Sequence, residues 1–196
     1  MRLTTANLAL IDVLGFTEAA IQSAADDLAT LVPKAVREYQ DVPWGTVAKK
    51  PYIGTSGGKD SVVIMWLSDM VEDAPLPVVH TPKPGVTHPK TLEFLYKMTA
   101  NRRILFCPAR DHASLGYDTQ IDGTRISEYN RTDGRSTDFV RNGQNVSRLE
   151  MTMWVPNGLF GLNFVYPIYD WEDVHVWACI IKHNIPFSEE YLCLGV

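Results

Sequence analysis

The chain has 196 residues, of which 45% are apolar and 21% charged, and it carries a net charge of −5. That is one domain of ordinary size with enough apolar residues for a full core. Its acidity argues against a general nucleic-acid or membrane-surface binder, while leaving room for a local basic site. No apolar run approaches the ~20 residues of a membrane span, and MRLTTANLALIDVLGF at the N-terminus lacks a small-residue cleavage site, so the expected location is cytoplasmic. Cys107, Cys179 and Cys193 are odd in number and widely spaced, which offers neither a disulfide framework nor C-x-x-C metal spacing.

From Thr17 to Tyr39, Ile21, Ala25, Leu28, Val32, Ala35, Val36 and Tyr39 keep helical spacing, with Pro33 either kinking the helix or opening a second one. Residues 1–48 therefore read as an N-terminal helical arm, placed to cover a sheet edge or to meet a second copy or a partner subunit. Asp41, Pro43, Trp44 and Gly45 break the arm. Residues 49–196 form the rest of a single-domain chain.

YIGTSGGKDSVVIMW, from Tyr52 to Trp66, reads as strand, loop and helix: an apolar run ends in a Gly-Gly pair, and helical spacing starts directly behind it. Adjacent glycines free the backbone for angles closed to other residues, so that peptide N–H groups can turn inward onto an anion. The loop feeds a helix N-terminus, where unpaired N–H groups and partial positive charge favour phosphate, and Lys59 adds a full charge. Ser56 and Ser61 offer further donors. Asp60 is out of place among phosphate ligands unless it caps the helix or holds a metal that bridges to the phosphates. The common P-loop, G-x-x-x-x-G-K-[ST], does not fit: Ile53 stands five residues before Gly58, and Asp60 replaces the Ser or Thr.

The helix from about Lys59 to Val71 ends before Pro75, and LPVVHT is a second short buried strand that ends at His80 and Thr81. A helix between two strands means a parallel pair, with the loop at the carboxyl edge where open α/β sheets bind ligands. Pro89, Lys90 and Thr91 start a further helix with Leu92, Leu95 and Tyr96 facing inward, and Ile104–Phe106 is a third strand. Asp122 to Arg135 is a polar loop rich in arginine. VSRLEMTMWV, within 137–163, reads as a strand, although the pattern there is weak. Phe164 to Tyr166 is another, followed by a cap at Asp170 and a helix with Val174, Trp177, Ala178 and Ile181 on one face, ended by Asn184 and Pro186. The fold class is α/β: an open, mainly parallel sheet of about five strands with helices on both faces and the arm outside. Ser56, His80 and Gly123 should share one edge of the crevice.

SGGKDS resembles, residue for residue, the PP-loop of the adenine-nucleotide α-hydrolases, a group that includes the ATP pyrophosphatases and the PAPS reductase family. A second block resembles that family too: Pro167, Asp170, Trp171, Asp173, Val174, Trp177, His183, Ile185, Pro186, Tyr191 and Gly195 match its Pro, Asp-Trp, Asp-Val-Trp, Ile-Pro and Tyr pattern in order. So the resemblance runs from about Pro51 to the C-terminus. It implies nucleotide contacts from Ser56, Gly57, Gly58, Lys59, Ser61 and His80. Gly123 and Arg125, followed by Glu128 and Arg131, fit the family's Gly-x-Arg segment, which faces the phosphates or the transferred group, with Arg135 a further candidate. Sulfonucleotide reductases carry a nucleophilic cysteine in a Glu-Cys-Gly-x-His tail that is not seen here, and an intact Lys-Asp-Ser favours ATP over PAPS. The reaction implied is attack of an acceptor oxygen on the α-phosphorus of ATP with release of pyrophosphate. Lys59 would stabilise the leaving group, Asp60 would bind Mg2+ or orient the loop, and Arg125 would hold the phosphate or acceptor side. Acceptors used across the superfamily include sulfate, FMN and a nucleic-acid carbonyl. The alternatives are a sulfonucleotide reductase and a non-catalytic nucleotide-binding subunit or sensor.

Overall fold

The computed structural model describes residues 1–82, 87–107, 115–129, 138–141, 144–147, 154–156 and 162–193. In chain order these form α1 (Thr5–Val13), α2 (Glu18–Gln40), β1 (Pro51–Thr55), α3 (Lys59–Val71), β2 (Val78–His80), α4 (Pro89–Met98), β3 (Ile104–Phe106) and β4 (Thr119–Ile121). There follow β5 (Asp138–Arg141), β6 (Gln144–Ser147), β7 (Trp154–Val155), β8 (Asn163–Val165), α5 (Asp173–His183) and α6 (Glu190–Cys193). The main sheet has the order β3-β2-β1-β4-β8-β7. Its first five strands are mutually parallel, and β7 closes one side antiparallel to β8. The antiparallel pair β5 and β6 stands apart as a two-stranded sheet.

Register explains which side chains meet the helices. Ile53 pairs with Val78 on one side and Ile121 on the other, and Ile121 pairs with Val165. Residues in register share a face, so these four make one apolar row across the sheet, each 0% exposed. The row joins a single core with α3 and α5, through Val62, Val63, Val176 and Ile180, and with α2, through Ile21, Ala25 and Leu28. The helical arm thus supplies core as well as cover, and Pro33 lies inside one continuous 23-residue helix. Among the described residues no single helix is long and apolar enough to cross a membrane. The pair α1 and α2, bent by 104°, reaches that length and apolarity only together, and α2 spends its apolar face on the core.

The parallel α/β sheet is the architecture expected, but one central strand is not among those read from the sequence. β4, Thr-Gln-Ile, lies between β1 and β8. Two of its three residues are polar, so it makes no apolar run. The sheet accepts Gln120 because its amide is satisfied: the Tyr52 hydroxyl donates to Oε1 at 2.6 Å, and Nε2 donates to Asp122 at 2.7 Å. The strand expected over Val146–Val155 resolves into the end of β6 and the whole of β7, and 148–153 lie outside the described residues. Two helix details also change. Tyr96 is 60% exposed and stacks on Phe106 instead of facing inward. The N-cap of α5 is Glu172, and Asp170 pairs with Lys34.

Candidate functional site

The parallel strands end together. His80 is the register partner of Thr55, and Asp122 and Gly123 follow Ile121, the partner of Ile53. With neighbouring strands about 4.8 Å apart, the segments after β1, β2 and β4 line one carboxyl edge. Ser56, His80 and Gly123 are brought together there.

The turn after β1 is built on Gly57, whose φ of +82° suits glycine alone. A Cβ there would also lie 2.3 Å from Cγ2 of Thr91 on α4. Gly58, the N-cap of α3, has an ordinary φ of −78°. Its lack of a side chain serves close approach instead, because a Cβ would sit 3.1 Å from the Tyr191 hydroxyl and 3.2 Å from Ser56 Oγ. Each successive N–H of the turn donates to a hydroxyl oxygen: Gly57 N to Thr55 Oγ1 at 2.9 Å, Gly58 N to Ser56 Oγ at 3.3 Å, and Lys59 N to Tyr191 Oη at 3.0 Å. The turn is therefore an oxygen-binding nest at the N-terminus of a 13-residue helix. Ser61 is buried in the first turn of α3.

Four charges surround the nest. Lys59 Nζ lies 3.1 Å from both Asp60 Oδ2 and Asp173 Oδ1. Arg125 reaches the same two carboxylates, with Nε 2.7 Å from Asp60 Oδ1 and Nη2 2.8 Å from Asp173 Oδ1. Its Nη1 donates to Ser127 Oγ and to the Trp171 carbonyl. Gly123 makes this possible. A Cβ there would come within 2.9 Å of Asp60 Cβ and 3.0 Å of the Asp60 carbonyl carbon, so only glycine lets the segment after β4 lie against the first turn of α3. Burial pulls the Lys59 pKa down, but Asp60 and Asp173 push it up by more, and it ends raised. Burial likewise raises Asp173, but Lys59 and Arg125 outweigh it and hold that carboxyl below its ordinary value. Both groups are charged at neutral pH.

Four of the expected site residues are engaged inside the protein. Arg125 is 1% exposed with all three nitrogens engaged inside the protein, where it braces two carboxylates. Both oxygens of Asp60 accept from cations. That donor set does not fit a resident magnesium ion and accords with the other role expected of Asp60, orienting the loop. Gly123 is a packing contact for Asp60. His80 does not open into the crevice: it is 1% exposed, with Nδ1 2.9 Å from the Thr55 carbonyl oxygen and its ring edge-on to Phe106. Arg131 and Arg135 lie outside the described residues, as does Gly195, and the side chain of Glu128 is not described. Asp173 and Tyr191 are the members of the site that the sequence reading passed over. Both stand in the second block of family-like residues, where they read as structural.

The fold is the α/β architecture seen in solved PP-loop adenine-nucleotide α-hydrolases. Comparison of the sequence with protein-family models and with curated proteins finds no match. Solved structures do match. The chain is similar to the phosphate complex of a phosphoadenylyl-sulfate (PAPS) reductase from Candida auris, at 15% identity and TM-score 0.55, covering 92% of this chain and 93% of that one. It is similar to Candida glabrata FMN adenylyltransferase bound to FMN and the ATP analogue AMPCPP, at 13% identity and TM-score 0.59, covering 97% and 71%. Yeast FAD synthetase in complex with FAD matches at 13% identity and TM-score 0.57, covering 97% and 72%.

Proposed function

We propose that the protein binds ATP with its phosphates in the Ser56–Ser61 turn and transfers the adenylyl group to an acceptor, releasing pyrophosphate. The observation that carries this reading is the nest itself. Three consecutive N–H groups, on Gly57, Gly58 and Lys59, each hold an oxygen at the start of α3, with the Lys59 ammonium beside them. An ammonium has three donors. Two are directed at Asp60 and Asp173, which aim the group and leave one for a phosphate oxygen.

An acceptor oxygen attacks the α-phosphorus, the bond from that phosphorus to the bridging oxygen breaks, and pyrophosphate leaves with the bond's electron pair. The acceptor's proton passes to solvent. Negative charge grows on the leaving group, where fixed N–H groups and Lys59 meet it without reorganising. Arg125 is a positioning residue that holds Asp60 and Asp173, and through them Lys59. No step is assigned to magnesium. The neighbours solved with phosphate and with AMPCPP support a phosphate-bearing ligand for a chain of this fold.

The test is pyrophosphate release from ATP and Mg2+, screened with FMN and sulfate among the acceptors. Acceptor-dependent release that Lys59→Ala abolishes is the expected result. ATP binding with no release under any condition would favour a nucleotide-binding subunit or sensor.

A second reading, sulfonucleotide reduction, is favoured by the near-complete mutual coverage with the PAPS reductase. That chemistry needs an activated thiol. Cys179 is 0% exposed and burial pushes its thiol up to about 12, the reverse of activation. Turnover of PAPS that Cys193→Ser removes would establish the reductase reading.

A further inference from the structure

The three hydroxyl oxygens in the nest do not have the same origin. Thr55 ends β1 and Ser56 opens the turn, whereas Tyr191 comes from α6, 132 residues beyond Lys59. Its hydroxyl accepts the Lys59 N–H and lies over Gly58, where a side chain would close the concavity. An oxygen at that point is where the start of α3 holds an anion best. We infer that Tyr191 occupies the seat of a phosphate oxygen, so that a polyphosphate enters only by displacing the hydroxyl and lifting α6 from the turn. The inference rests on the nucleotide reading above and adds to it an autoinhibitory contact.

The surroundings fit a segment that can leave. α6 has four residues, too few for a helix to persist on its own, and Leu192 on it is 50% exposed. It is held by side chains. The Tyr191 ring meets Trp177 edge-on at 5.1 Å, and the Glu190 carboxylate accepts from the Thr91 hydroxyl, with His88 Nδ1 at 4.0 Å. Thr91 is the residue whose methyl group packs on Gly57. The latch therefore touches the turn twice, directly through Tyr191 and indirectly through Thr91.

The exchange favours the anion. Burial raises the Tyr191 pKa by more than Lys59 lowers it, so the hydroxyl is neutral at neutral pH. A neutral oxygen beside an ammonium and a helix N-terminus is a weaker partner than a phosphate, whose hydrogen bonds are charge-assisted.

The experiment titrates inorganic pyrophosphate, and separately ATP, into the full chain, Tyr191→Phe and Glu190→Ala, with hydrogen exchange read at the amides of residues 189–193. Tyr191→Phe keeps the ring on Trp177 and removes only the competing oxygen. It is expected to bind both probes about two- to tenfold more tightly, the worth of one hydrogen bond. Glu190→Ala, which loosens the latch away from the nest, should also bind more tightly. Pyrophosphate should accelerate exchange in α6 of the parent. Unchanged or weaker binding by Tyr191→Phe, or slower exchange in α6 on ligand addition, would overturn the inference and leave the nucleotide reading intact. Failure of parent and variants alike to bind either probe would overturn both.

Discussion

The two ends of the same sheet are built on carboxylates used in opposite ways. At the amino edge, Asp118 precedes β4 and accepts from the backbone N–H groups of Lys49, at 3.1 and 3.2 Å, and of Lys50, at 2.9 Å. The Thr119 hydroxyl donates to it as well, and the Asn163 amide donates to its carbonyl. The bonds from Lys49, Lys50 and Asn163 tie one strand start to the next. At the carboxyl edge, Asp60 and Asp173 spend their oxygens on two cations instead, and the backbone N–H groups of Gly57, Gly58 and Lys59 are left to hydroxyls. A carboxylate on those N–H groups would close the nest to an anion. With the carboxylates turned to Lys59 and Arg125, the nest is charged and holds only neutral hydroxyls, which an anion can displace.

The comparison breaks most readily at Arg125. It is 1% exposed, and replacing it by Met leaves Asp60 and Asp173 to share Lys59. Removing one partner of a buried ion network costs about 3–5 kcal/mol. Asp118→Ala, at a half-exposed site of hydrogen bonds to backbone N–H groups, should cost about 1.5 kcal/mol and leave ATP affinity unchanged. Urea unfolding of both variants measures the difference, and equal losses would mean that the carboxyl-edge network is no more than another set of strand ties.

A smaller effect sharpens the same contrast. Asp173 has its pKa depressed in the folded chain, so its stabilisation is present above the unfolded value and is lost as pH falls through the folded one. The stability gap between the parent and Asp173→Asn should be constant above about pH 5 and close below about 3.9, an effect on the order of 1 kcal/mol for a carboxylate that is 32% exposed. Lys59 is shifted upward, so its contribution is complete below about 10.4 and is lost as pH rises through the raised value. A gap that closed near pH 7 would contradict the charged network.

The strand, turn and helix around Ser56 were legible because three local signals coincide: an apolar run, a glycine pair and helical spacing. α3 begins and ends where the periodicity does, at Lys59 and Val71. The rest of the site is made by contacts far apart in sequence. Arg125 looks ligand-facing in a polar loop because nothing nearby hints that Asp60 and Asp173, 65 and 48 residues away, converge on it. β4 was illegible because Gln120, half-buried in the middle of the sheet, is accommodated only through Tyr52 and Asp122. Tyr191 stands in a motif that resembles the family's, but its contact with the Lys59 N–H is set by how α6 folds back.

The central claim is that the turn after β1 holds a polyphosphate, and calorimetric titration of ATP into the parent and Lys59→Ala tests it most directly. Loss of one charge-assisted contact should weaken binding by about 1.5–3 kcal/mol, a drop on the order of ten- to a hundredfold, with the parent's sheet retained by circular dichroism. Equal ATP affinity in the two proteins would contradict the claim, and the SGGKDS segment would then be a turn with no ligand.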